Sequence, residues 1–473
     1  MKKLKSFIKG LIYILPAVLY LSYYPIISFG ATGTMNFELS LPLIWLVVFD
    51  ITSVVAVFKF KKTKVIAGKW WYYLFPFFAT LSVFWSSNPL RGALTLGVMW
   101  AVIIAIMGFV ILKKEIFDTG FKKNFLKWFF GATLVVCAWC LLQCLLDVFG
   151  VSRDYTLMCL GCTYRAFGFP HPNGFAIEPQ FMGNLLLAPA IVSAYFAVVD
   201  LVDSRHPLQR RMLFYFLVIT ATLFLTFSRG AIYAFVVAMI FLTVMQIVKT
   251  KKWRVMLVWP LILVAFLFTL NLQGVMAQIS PTEEGYYDGI RRAVSQLTLG
   301  KINLPGDERK QENASLNTEE TSALSTNLSG SNLNDEASFD GYVPESTDVR
   351  VKLTNVALEE WQKSKKNMLV GVGIGGAGQA LYNDGLIDSP KEIVQNQYAS
   401  LLLETGLIGI TMLVILALGF LKWCKGRKYA GMVLTLAVAY AVSLCFFSGL
   451  PNALHIYLLL ALFCYDWSYE KSA

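Results

Sequence analysis

Apolar runs close to 20 residues long recur along almost the whole chain, and no other feature of the sequence restricts its fold as tightly. The hydrocarbon core of a bilayer is about 30 Å thick, so a helix rising about 1.5 Å per residue needs about 20 residues to cross it. Backbone amides in lipid have to be satisfied inside the segment, which for runs of this length means helices. The predicted spans are 7–29, 41–59, 70–86, 93–112, 128–149, 176–200, 212–227, 230–248, 255–271, 398–421, 429–447 and 450–466. The expected fold class is therefore all-α: a polytopic membrane protein of about twelve transmembrane helices. Composition agrees, since 56% of the 473 residues are hydrophobic and 15% charged, against roughly 45–50% and 25% in soluble domains.

The net charge of +11 invites a nucleic-acid reading, but the positions of the charges argue for a membrane instead. If the N-terminus with Lys2, Lys3, Lys5 and Lys9 is cytoplasmic, the odd-numbered side also collects Lys59–Lys69, Lys113–Lys127, Arg205–Arg211, Lys249–Arg254 and Lys422–Lys428. Short connections on the other side hold only Arg91, Arg153, Arg165 and Arg229. This is the positive-inside pattern. It predicts cytoplasmic N- and C-termini and no nucleic-acid partner. The first apolar run is long enough to span and lacks a small-residue cleavage signature, so no cleaved signal peptide is expected.

The eight cysteines give neither a disulfide framework nor a zinc pattern. Cys159 and Cys162 on the outer side either pair or stay as two loop thiols. No metal and no cofactor are expected.

Three segments follow from the map: spans one to nine over 1–271, an external segment over 272–397, and spans ten to twelve with a cytoplasmic tail over 398–473. Within the external segment, 307–348 is polar and rich in Ser, Asn and Glu. It holds too little apolar surface to offset the entropy of ordering, so it is expected to be a disordered insertion. Over 349–397, Leu353, Val356, Ala357 and Trp361 recur at helical spacing and predict an amphipathic helix. The run Gly371, Gly373, Gly375, Gly376 and Gly378 then predicts tight turns; without a βαβ context or a Gly-Lys-Ser/Thr it does not read as a nucleotide loop.

Ionisable residues near the membrane usually face a cavity or a pathway. Arg229 sits between two apolar runs with almost no loop, as a snorkelling anchor or as a ligand. Arg165 and Arg350 add two cations on the same side. Together the three suggest an anion site, because guanidinium groups bind phosphate oxygens in bidentate fashion. Glu178 stands at the start of the sixth span, either as a charge favoured by the helix dipole or as a base with a raised pKa. His171, on the same loop, is the second candidate for proton transfer. Glu404 lies deeper, in the tenth span, with structural pairing to an arginine expected.

Ser-Arg-Gly at 228–230, the loop RAFGFPHPNGFA, and VRVKLTNVALEEWQKSKKNMLVGVGIGG followed by NQYASLLLETGLIGI resemble the O-antigen ligase and polymerase superfamily over roughly 150–420. The resemblance implies a metal-independent glycosyltransferase at the outer face of the bacterial cytoplasmic (inner) membrane, using a glycan carried on undecaprenyl pyrophosphate. It implies that Arg165, Arg229 and Arg350 hold the pyrophosphate and that the external loop closes over the site. Gln395, Asn396, Tyr398 and Glu404 belong to the last motif and take supporting roles. Ligases of the family typically carry a histidine before that Asn; Gln395 stands there and cannot accept a proton.

The reading favoured is polymerisation of lipid-linked repeat units into capsule, O-antigen or exopolysaccharide, with a flippase and a chain-length regulator as possible partners. Ligation to a terminal acceptor, using Glu178 or His171, is the alternative. A glycan flippase or secondary transporter is the rival from another class, although the chain lacks the duplicated halves common in carriers.

Overall fold

The computed structural model describes residues 2–22, 25–32, 35–60, 73–149, 172–176, 178–202, 209–279, 285–298, 302, 304, 339–390, 392–425 and 429–467. Its helices are α1 (Lys2–Tyr20), α2 (Leu41–Lys59), α3 (Leu74–Ser82), α4 (Pro89–Ile116), α5 (Thr119–Val148), α6 (Pro179–Val202), α7 (Gln209–Leu225) and α8 (Arg229–Thr250). They continue with α9 (Val258–Ile279), α10 (Tyr286–Thr298), α11 (Phe339–Gln362), α12 (Lys365–Val370), α13 (Ala377–Asn383), α14 (Gln397–Cys424), α15 (Ala430–Ser443) and α16 (Leu454–Trp467). Each predicted apolar run overlaps a helix. Among the described residues, seven helices are long and apolar enough to cross a membrane, and α3, α7, α15 and α16 supply shorter apolar ones.

The first predicted span ends early. Instead of continuing to 29, α1 stops at Tyr20, and β1 (Pro25–Thr32) pairs antiparallel with β2 (Met35–Ser40). The residue before a proline is pushed towards extended backbone, which disfavours helix ahead of Pro25; Ile26, Ile27 and Phe29 are strand formers. Ser40 precedes α2, and Pro42 sits in the first helical turn, where a missing amide costs nothing. Asn88 caps α4 by accepting from the Arg91 amide at 3.1 Å.

Helix α6 is the centre of the bundle, in contact with α7, α8 and α15. Its most apolar window is 83% buried, against 22–50% for the other candidate spans. Small residues explain this placement: Gly183, Ala188, Ala190, Ala194 and Ala197 let neighbouring backbones approach. A second seam joins α5 to α16, where Phe125 and Phe129 meet Phe463 edge-on.

Lys5 pairs with Glu115 and Lys9 with Asp118, so the start of α1 lies beside the end of α4. From there α4, 28 residues long, runs about 42 Å to the opposite end of the bundle. The 371–378 turns dock on that opposite end. Ser86 Oγ donates to the Ile374 carbonyl at 2.9 Å, and the Ser87 amide donates to the Val372 carbonyl at 3.1 Å.

The amphipathic helix is present as α11, with Leu353 and Ala357 buried. It begins at Phe339 and not at 349, so the last ten residues of the expected insertion are helical. The remainder of that insertion, 307–338, falls outside the described residues.

Candidate functional site

The site is built where the starts of α6, α8 and α14 meet the 444–449 segment. In front of α6, the loop is fixed by Gln143 of α5. Gln143 Nε2 donates to Asn173 Oδ1 and to the Gly174 carbonyl, both at 3.0 Å, and Gln143 Oε1 accepts from the Gly174 amide at 2.8 Å. Gly174 has φ +62°, and a Cβ there would lie 2.7 Å from Met182 Sδ, so the turn requires glycine. Trp139 stacks on Phe175. Glu178 leaves this turn half-buried. Burial pushes its carboxyl above the usual carboxylate range, and the Arg350 cation opposes that shift.

The Ser-Arg-Gly turn is equally constrained. Phe227 is buried with φ +48°, a left-handed conformation costing about 1–2 kcal/mol for a side-chain-bearing residue. Such strain is often retained at functional sites. Ser228 precedes α8 in extended backbone but makes no side-chain cap bond, and its Oγ is buried with no hydrogen-bond partner. A Cβ on Gly183 would lie 2.8 Å from Ser228 Cβ, and one on Gly230 would lie 2.8 Å from Phe446 Cβ. These contacts wedge Arg229 between α6 and the 444–449 segment. Gly183 follows Glu178 by little more than one helical turn, about 8 Å of rise, so Glu178 and Arg229 occupy the same end.

Gln180 joins them by donating to the Phe446 carbonyl, and its Oε1 is buried without a partner. So is Oε1 of Gln395. Leaving such an oxygen unmet costs about 1–3 kcal/mol, so Gln180, Ser228 and Gln395 are suited to a ligand carrying hydroxyl donors.

The other residues of the last motif have structural duties. Asn396 caps α14, accepting from the Tyr398 and Ala399 amides at 3.1 and 3.2 Å. Tyr398 donates its hydroxyl to the Ala441 carbonyl at 2.8 Å. Glu404 has backbone amides as well as an arginine around it. Its backbone carbonyl accepts from the Gly373 amide at 2.9 Å and its Oε1 from the Ala377 amide at 3.5 Å, with Arg91 acting on it electrostatically. The physical reason is the glycine run: Gly371, Gly373 and Gly375 have φ of +74°, +89° and +70°, which turns backbone N–H groups towards α14. Tight turns, not a nucleotide loop, are what these glycines form.

Arg165, His171, Cys159 and Cys162 fall outside the described residues. Among the described residues, no group of three or more His, Cys, Asp or Glu could hold a metal ion. The sequence reading missed Gln143 and Gln180; each is an amide in or beside an apolar run, and that was the available signal.

Residues 214–414 match the family model described as O-antigen ligase. The match supports the O-antigen ligase and polymerase superfamily. No curated protein and no solved structure matches the chain. The matched stretch takes in Arg229, Arg350, the glycine turns, Gln395–Tyr398 and Glu404, whereas Glu178 precedes it. The chain is a multi-pass membrane protein with an O-antigen ligase-type domain.

Proposed function

We propose that the protein is a membrane glycosyltransferase that polymerises undecaprenyl-pyrophosphate-linked oligosaccharide repeat units at the outer face of the bacterial inner membrane. The observation that carries this reading is that Glu178 stands at the same end of the bundle as the Ser-Arg-Gly turn and is acted on electrostatically by Arg350 of the matched domain. In the reaction, an acceptor sugar hydroxyl forms a bond to the anomeric carbon of the donor while the bond from that carbon to the pyrophosphate breaks. The hydroxyl proton passes to Glu178. The electron pair leaves with the lipid pyrophosphate, whose charge Arg229, Arg350 and Arg165 stabilise. Fixed cations in a water-poor site are well suited to that electrostatic task.

Ligation to a terminal acceptor is the second reading, supported by the description of the matched family. A deletion strain separates the two. Single repeat units on the final acceptor mean that a polymerase was lost; long chains stranded on the carrier mean that a ligase was lost. In the same strain, Arg229→Ala and Arg350→Ala are expected to abolish long-chain product while the protein inserts at wild-type level. Full-length chains from both variants would refute the pyrophosphate site.

A further inference from the structure

A cavity of about 400 Å³ opens between the turn after α3 and the ends of α11 and α13, and nothing in the reaction above uses it. Trp85, Ser87, Glu360, Lys363, Asn367 and Asp384 line it. Glu360 is only 6% exposed. Its Oε1 accepts from Asn367 Nδ2 at 3.0 Å, whereas its Oε2 accepts no hydrogen bond and has Lys363 Nζ at 3.6 Å. The buried Nε1–H of Trp85 has no acceptor. One side of the cavity therefore holds a donor with no acceptor, costly to bury without a ligand, and another holds a carboxylate whose Oε2 has an ion pair with Lys363 but no hydrogen bond.

The chemistry selects the ligand. Two carboxylates offset Lys363 and Lys366 in the lining, so no net positive charge draws a phosphate. Lys363, paired with both Glu360 and Asp384, already occupies the place a metal cation would take. The polar lining does not suit an acyl chain. A sugar fits, because its hydroxyls both donate and accept, and carboxylates, amides and an indole answer them. Position agrees as well. The cavity is at the Arg229 end of the bundle, and Glu360 lies about 15 Å along α11 from Arg350 at 1.5 Å per residue. That separation is within reach of a short oligosaccharide.

We infer that this cavity is a saccharide subsite, holding a sugar of the glycan at a distance from the reacting carbon. The inference deepens the proposed function and relies on it for the location of the pyrophosphate. The sugar belongs either to the donor or to the acceptor glycan, and the test distinguishes them.

The full-length protein in detergent is titrated with two probes: free repeat-unit oligosaccharide released from the host polysaccharide, and undecaprenyl pyrophosphate carrying no sugar. Trp85→Phe and Glu360→Gln are each expected to weaken oligosaccharide binding about tenfold, the scale of one lost hydrogen bond. Both are expected to bind the sugar-free carrier as the wild type does. A raised KM for lipid-linked donor in Trp85→Phe assigns the sugar to the donor; an unchanged one, with weaker oligosaccharide binding, assigns it to the acceptor. If Glu360→Gln does not fold, Trp85→Phe alone decides. Wild-type oligosaccharide affinity in the folded variants overturns the subsite. Failure of the wild type to bind the sugar-free carrier would count against the proposed function instead, leaving the oligosaccharide result to decide the subsite.

Discussion

Glu178, in the turn that opens α6, and Arg350, within α11, act on each other electrostatically although more than a third of the sequence separates them. A carboxyl raised by burial and a cation that opposes the rise form an acid–base group whose protonation depends on what lies beside it. In the proposed reaction this makes Glu178 the proton acceptor and Arg350 both a pyrophosphate ligand and a setting for Glu178.

If Glu178 is the base, transfer requires its carboxylate, so the rate falls in acid as Glu178 gains a proton. Glu178→Gln is expected to lose most of the activity. Arg350→Gln removes the cation that holds the Glu178 pKa down, so the acid limb of its residual activity moves to higher pH. A pH–rate profile of the two variants and the wild type checks this. A limb unmoved in Arg350→Gln would mean that Arg350 does not set Glu178.

Stability should respond to pH at Glu360. Burial, reinforced by Asp384 and opposed by Lys363, raises Glu360 to about 7 from an ordinary value of 4.5. The folded protein therefore keeps a proton that the unfolded chain has released between those values, and stability falls as pH rises from about 4.5 to about 7. Thermal melts in detergent are expected to show a lower Tm at pH 8 than at pH 5, with a smaller difference in Glu360→Gln.

Two glycines separate backbone strain from close packing. Gly385 has φ +68° with nothing near a new Cβ, so Gly385→Ala should cost about 1–2 kcal/mol. At Gly371, φ is +74° and a Cβ would lie 2.4 Å from the Glu404 carbonyl, which adds about 1–3 kcal/mol and pushes the turn off α14. Melting temperature and transfer activity should both drop further in Gly371→Ala.

Removing the amide clamp on the loop before Glu178 is expected to be more harmful to activity than to insertion. Gln143→Leu deletes three hydrogen bonds to Asn173 and Gly174. The check is long-chain product measured against the amount of protein in the membrane.

The helices were legible because lipid leaves an apolar run of this length one backbone solution; the error at α1 came from Pro25, which ended the helix inside an apolar stretch. Residues Glu178, Arg229 and Arg350 were each identifiable from charge placed against the local bias. That Arg350 acts on Glu178, and that Glu178 and Arg229 share one end of the bundle, was not, since both depend on long-range packing such as Gly183 against Ser228, for which no local pattern exists. Glu404 illustrates the same limit. Its carboxylate meets backbone amides of a glycine turn, and backbone amides leave no mark on residue type.

The most direct test of the anion site is a structure of the full-length protein with undecaprenyl pyrophosphate bound. The pyrophosphate is expected within ion-pair distance of Arg229 and Arg350, beside Glu178, at the end of the bundle opposite Lys5 and Lys9. A pyrophosphate bound at the Lys5 end, or touching neither arginine, would contradict the account.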